Sequence, residues 1–416
     1  MDSLLKFANS WRNQELEIVL RHHYNSKVYG TDSQVSGDLV VNTSRDVPFD
    51  GIQIVFAGKS KVCSQDIAVA SETTHHFLDL EMPIPTSTYP VPKVFTSGNT
   101  FSIPFKFIIP KHLTLAACSH AVESDTVREL HTLLPPTMGD WEKDDMSFKM
   151  VSIGYAINAT VLRRSTSGNP TVRTLETSKV VRLLTSGPED PPLSITNFDK
   201  LYTLEQSKTI YKRLSSQILG QIKAVATQAA VVRLDSVGRS LNESSVQVSL
   251  TFEPSAIYVI PPIISSASMS VKANTWFKTQ PTERLPNVGD GQRAYSQTIR
   301  LRTRFSHSEP WTQHVDVGGH SYSEGMRASP IFHTTTLHLP FDLPTSDKTF
   351  LPTFHTCLLS RTYSVNLSLG VGNVTVDLVV PLQIFVDTSN EPAASNEVPL
   401  GEEELPDFDA ATNYGS

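Results

Sequence analysis

Cysteine is scarce in this chain of 416 residues. Its 3 cysteines, Cys63, Cys118 and Cys357, are odd in number and spread too widely for a disulfide framework or a CxxC metal spacing to be read. That excludes a disulfide-stapled secreted scaffold and points to a reducing compartment. Long hydrophobic runs are missing too. No stretch of about 18 apolar residues occurs, and the opening "MDSLLKFANSW" has no apolar core of signal-peptide length. A cytosolic protein is therefore expected, and the five N-x-S/T sequons (Asn42, Asn158, Asn242, Asn366, Asn373) carry no weight for glycosylation. A basic excess is also lacking: the net charge is −7, so nothing global recommends nucleic acid as a partner. That charge is unevenly placed. Eight acidic residues and no Lys or Arg lie between Asp387 and Ser416, which leaves the rest of the chain at +1.

Long helical periodicity is nearly absent, and short alternating segments take its place. Examples are "LEIVL" (16–20), "GDLVV" (37–41), "IQIVF" (52–56), "FSIPFKFIIP" (101–110), "VSIGYAINATV" (151–161), "SVQVSLTF" (245–252), "SQTIRLRTRF" (296–305), "TTTLHL" (334–339) and "YSVNLSLGV" (363–371). Turn residues separate them at the spacing of about 8 to 12 residues found in β-sandwiches. Two windows read as helix: "SDTVRELHTLL" (124–134), where Thr126 and Glu129 have capping-box spacing, and "LEQSKTIYKRL" (204–214).

One motif order occurs twice. "FSIPFKFIIP" is followed by "LLPPTM" (133–138) and then a strand centred on Tyr155. Later, "LHLPFDLP" (337–344) is followed by "FLPTF" (350–354) and then Tyr363. The first copy is longer, which places an insertion near the 124–134 helix, where loops tolerate extra length cheaply. Prolines at 104 and 340 lack the ladder N–H, so their strands are expected to run along a sheet edge or to contain a bulge. The pattern predicts an all-β chain of two related antiparallel sandwiches, with "TSGPEDPP" (185–192) as linker and a second half resuming at Ile218. Beyond Asp387 the composition is that of a disordered acidic tail.

No catalytic constellation can be assembled. "GHSYSEG" (319–325) lacks the second glycine of a nucleophile elbow, "GVGNVT" (370–375) lacks the third glycine of a dinucleotide fingerprint, and the pairs His22/His23 and His75/His76 would point to opposite faces of a strand. No cofactor and no metal site are expected. The most suggestive polar feature is "IRLRTRF" (299–305): as a strand it would hold Arg300, Arg302 and Arg304 on one face, roughly 6.5 to 7 Å apart. Such a stripe suits carboxylate or phosphate groups. It is equally a solvated face, or a resting place for the acidic tail.

Together with "YGTDSQVSGDLVV" (29–41) and "LPPTM", the first-half segments resemble the N-terminal domain of the arrestin family, particularly its fungal alpha-arrestin-like members. "VSLTFEPSAIYVIPP" (248–262), "LHLPFDLP", "FLPTF", "YSVNLSLGV" and "VVPLQI" (379–384) resemble the arrestin C-terminal domain. The resemblance implies two consecutive immunoglobulin-like sandwiches, at residues 1–190 and 218–387, with a hinge at 191–217 and a tail at 388–416. It further implies a non-catalytic cytoplasmic adaptor that binds cytosolic regions of membrane proteins in endocytic sorting, with peripheral contact at the plasma membrane or endosomes. The alternative is a signalling scaffold with a soluble partner. Members of that family commonly recruit a HECT-type ubiquitin ligase through P-P-x-Y, which is absent here. The nearest variant is Leu405, Pro406, Asp407 and Phe408, with phenylalanine in place of the tyrosine, as a docking motif or simply part of a solvating tail.

Overall fold

The computed structural model describes residues 15–65, 70–164, 172–188, 199–212, 215–289, 291–303, 310–315 and 331–388. Among the described residues it is all-β, with one short α-helix. The first half holds β1 (Leu16–Leu20), β2 (Val28–Tyr29), β3 (Gln34–Asn42), β4 (Val47–Pro48), β5 (Gly51–Gln65), β6 (Ala70–Glu81), β7 (Val94–Phe95), β8 (Thr100–Ile108), α1 (Asp125–Thr132), β9 (Val151–Arg163) and β10 (Val172–Leu183). The second holds β11 (Glu205–Tyr211), β12 (Ile218–Ala226), β13 (Val232–Asp235), β14 (Ser244–Pro254), β15 (Ile264–Phe277), β16 (Arg293–Arg300), β17 (Arg302–Thr303), β18 (Thr312–Val315), β19 (Ile331–Asp342), β20 (Phe354–His355), β21 (Leu359–Val371), β22 (Val374–Leu382) and β23 (Ile384–Asp387).

Among the described residues no sheet mixes strands of the two halves. The first contains β1-β3-β8, β2-β10-β9-β5-β6 and the small pair β4-β7. The second contains β11-β12-β14-β19-β17 with β18 also on β19, β16-β15-β21-β20 with β22 also on β21, and the pair β13-β23. Strand alternation in the sequence maps onto burial. In β9, Val151, Ile153, Tyr155, Ile157, Ala159 and Val161 all face the core, and full burial of each large side chain contributes about 1.5 to 3 kcal/mol. The buried apolar residues of both halves join in one continuous cluster.

The repeated motif has a repeated structural job. Tyr155 Oη donates to Pro135 O at 2.5 Å, and Tyr363 Oη donates to Leu351 O at 2.8 Å. Thr137 N–H bonds Leu183 O at 2.8 Å while its Oγ1 accepts from Leu183 N–H at 2.9 Å. Thr353 does the same to Ile384, at 2.9 and 3.1 Å. The clamped strands β10 and β23 each also carry a short parallel partner, β2 and β13. A proline in each segment fixes an extended backbone, and the tyrosine and threonine satisfy polar groups that burial would otherwise leave unpaired.

Several expectations change. Within the 204–214 window Glu205–Tyr211 forms strand β11, not helix, so the second-half sheets take in Glu205 and do not start at Ile218. Glu205 pairs with Val225 and its carboxylate meets Lys223 at 2.7 Å, while Gln206 Oε1 accepts from Asp377 N–H at 2.8 Å. A full ladder outweighs the marginal helicity of so short a segment. Helix α1 is present, but Ser124 caps it, its Oγ accepting from Val127 N–H at 3.3 Å, so the Thr126/Glu129 box is not used. Pro104 lies exposed on edge strand β8 as expected. Pro340 lies on β19, which is not an edge strand because β14 flanks it on one side and β17 and β18 on the other, although at Pro340 itself the pairing among the described residues is with Ser245 of β14 alone. The middle of the linker lies outside the described residues.

Candidate metal centre at the junction of the two halves

The two halves meet through buried polar groups. Arg361 of β21 is completely buried; its Nη1 donates to Asp145 O at 2.8 Å and its Nη2 to Ser147 Oγ at 3.1 Å. The Asp145 carboxylate shapes that turn by accepting from Gly139 N–H at 2.7 Å and Ser147 N–H at 3.0 Å. Beside it, Asp144 accepts from Lys348 Nζ at 2.5 Å, and Phe148 stacks on Phe277 and Tyr295 at 5.4 and 5.0 Å. The contacts tie the segment before β9 to β15, β16 and the loop before β20.

A second cluster lies at the same junction. Cys118 ends a 3-10 turn (Leu115–Cys118), His120 follows it, His131 sits in the last turn of α1, and Cys357 comes from the turn between β20 and β21. One donor atom from each lies within 4.8 Å of all the others. Cys118 Sγ is 3.7 Å from His131 Nδ1 and 3.9 Å from His120 Nδ1. Cys118, His131 and Cys357 are buried and His120 half-buried. His120 Nε2 lies 2.9 Å from Thr282 O. A carbonyl only accepts, so Nε2 carries a proton, and in the neutral ring the lone pair is then on Nδ1.

The surroundings set the charge states. Burial, helped by the nearby His355, His120 and Arg128, pulls the His131 pKa down to about 3, so the imidazole is neutral. Burial and the neighbouring Cys118 push the Cys357 thiol up. Arg128 braces the turn, with Nη1 donating to Cys118 O at 2.5 Å and Nη2 to His120 O at 3.3 Å, and Nη1 lies 3.9 Å from Cys118 Sγ. Two thiols and two imidazoles are a donor set suited to a tetrahedral divalent ion.

No family model matches this chain, and no curated protein is significantly similar to it.

The cysteines are too dispersed along the sequence for a metal spacing to be read, yet the fold brings Cys118 and Cys357 together. The local signal was the C-x-H at 118–120 with His131 one helix later. Of the residues singled out for partner binding, Arg300 and Arg302 are exposed but do not share a strand. Arg300 ends β16, paired with Ser270 of β15, whereas Arg302 begins β17, paired with Asp342 of β19 in a different sheet. Between them Leu301 is buried and its N–H bonds Met269 O at 3.0 Å. The chain therefore steps from one sheet to the other at Leu301, because an apolar side chain there gains more from the core than from continuing an exposed strand. Arg304 lies outside the described residues, as do Leu405, Pro406, Asp407 and Phe408. His75 is half-buried and His76 exposed, on opposite faces of β6 as adjacent strand residues must be. Among the described residues no helix is long and apolar enough to cross a membrane.

Proposed function

We propose that the protein is a non-catalytic adaptor built of two consecutive immunoglobulin-like, arrestin-type β-sandwiches that engages cytosolic regions of membrane proteins. The observation that carries this reading is the tyrosine and threonine clamp, which occurs once in each half at matching points of the motif order: Tyr155 with Thr137, and Tyr363 with Thr353. Two such units joined through the buried contacts of Arg361 with Asp145 and Ser147 leave function to be sought in exposed surface features rather than in a catalytic cleft. The loop between β14 and β15 offers one such surface, exposing Ile257, Tyr258, Ile260 and Ile263; clustered exposed apolar side chains mark contact sites for a protein or a bilayer.

The test is proximity labelling from the full-length protein in its native cell. Enrichment of integral membrane proteins, reduced when Ile260 and Ile263 are changed to Ser, is the expected result. A labelled set containing only soluble proteins would overturn it in favour of a cytosolic signalling scaffold, a reading favoured by the missing P-P-x-Y motif.

A further inference from the structure

We propose that Cys118, His120, His131 and Cys357 bind a structural zinc ion that fastens the 115–132 segment of the first half to the turn between β20 and β21 of the second. Four protein ligands make a closed tetrahedral site with no position for substrate, so the role is structural. Two thiolates balance the charge of Zn2+ and two imidazoles stay neutral, which leaves no net charge in a buried place. Zinc bond lengths of about 2.0 to 2.3 Å set the edges of such a tetrahedron at roughly 3.3 to 3.8 Å. The distances of 3.7 and 3.9 Å from Cys118 Sγ to the two imidazoles lie at or just beyond that range, and the 4.8 Å limit on all pairs leaves only a small contraction on binding.

Two independent features support the assignment. The His120 imidazole is oriented by the Thr282 carbonyl, the outer-shell hydrogen bond that metal-bound histidines make, and it leaves Nδ1 free to ligate. The Cys118–His120 turn is also pre-shaped by Arg128, which bonds both its carbonyls. A Cys118–Cys357 disulfide would explain neither the two imidazoles nor their orientation. The sulfur ligands also disfavour magnesium or calcium, which take oxygen. On binding, the two thiol protons pass to solvent and two zinc–sulfur bonds form, with no change of oxidation state.

The test uses the full chain, untagged and purified under reducing conditions without chelator. Elemental analysis is expected to find about one zinc per chain. Cys118→Ser, His131→Asn and Cys357→Ser should each fall to roughly a tenth of that or less, while Cys63→Ser keeps its metal. Cobalt(II) added to metal-stripped wild type should give the visible absorption of a tetrahedral thiolate site, a readout that needs no variant to fold. Chelation should speed protease cleavage between residues 113 and 124. The proposal is overturned if wild type neither carries zinc nor takes up cobalt, or if rapid alkylation shows a Cys118–Cys357 disulfide in the cell. It is equally overturned if Cys357→Ser retains stoichiometric zinc, or if metal removal leaves the cleavage rate unchanged.

Discussion

Replacing Tyr363 by Phe removes one oxygen and little else. The ring still packs on Phe350, 6.1 Å away between centroids, and still lies beneath the Arg361 guanidinium at 5.9 Å. What disappears is the donor to Leu351 O at 2.8 Å, together with the phenol oxygen's interaction with Arg361, and the loss leaves a carbonyl unpaired beside a wholly buried side chain. An unsatisfied buried acceptor costs about 1 to 3 kcal/mol. Tyr155→Phe does the same to Pro135 O in the first half, with its ring still packed on Phe56 and Phe77 at 6.0 and 5.7 Å. Burial raises the pKa of both phenols, so both stay donors at every working pH. The expected outcome is a loss of about 1 to 3 kcal/mol for each variant in denaturant unfolding, followed by circular dichroism and tryptophan fluorescence. Equal losses are the mark of equivalent clamps. A loss under about 0.5 kcal/mol in both would refute the argument that these hydroxyls satisfy otherwise stranded carbonyls, and a loss in one alone would refute the equivalence of the two halves.

Three further outcomes are expected. Gly37→Ala should cost about 1 to 3 kcal/mol, because its Cβ would lie 2.4 Å from Val19 O and 2.7 Å from the Phe105 ring, whereas Gly51→Ala, with nothing within 4 Å, should be neutral or slightly stabilising; denaturation midpoints compare them. Asp144 is held below the usual carboxylate range by its bond to Lys348, with further help from Met146 N–H, so its contribution is present at neutral pH and lost as pH falls through its folded-state value. Because the side chain is 46% exposed, that contribution is at most about 1 kcal/mol. The stability gap between wild type and Asp144→Asn in urea should therefore narrow as pH falls from 7 to below about 4, and a gap that widens would refute the sign. Finally, truncation after Asp387 should raise affinity for an acidic or phosphorylated peptide at low salt, with the gain lost when Arg300, Arg302 and Arg304 become Ala; unchanged binding in both would reduce the arginines to a solvated surface.

What was legible in the sequence was the part governed by local rules. A half-buried strand writes its period into the chain, so β1, β9, β14 and β21 could be read from apolar residues at every second place. Local rules failed where pairing decided the outcome. The apolar residues of β11 suit a short helix as well as a strand, and only the ladder with β12 and the bond from Asp377 to Gln206 choose between them. The same applies to the arginines, since nothing local to "IRLRTRF" announces that Leu301 will turn into the core and move the chain to another sheet.

The Cys/His cluster was the least legible feature, and the reason lies in how the two halves differ. Both share the clamp, and one thing that distinguishes them is the extra segment between the proline strand and the tyrosine strand of the first half. That segment holds the 3-10 turn and α1, and with them Cys118, His120 and His131. Apolar packing along so short a helix is limited: among its residues only Val127, His131 and Thr132 are buried. Its tethers are largely polar and reach the other half, through Thr282 O, Glu283 O and Cys357. An insertion with so small a core of its own is held mainly by these contacts with the second half. The fourth ligand comes from the second half, far along the chain, where no spacing rule could find it.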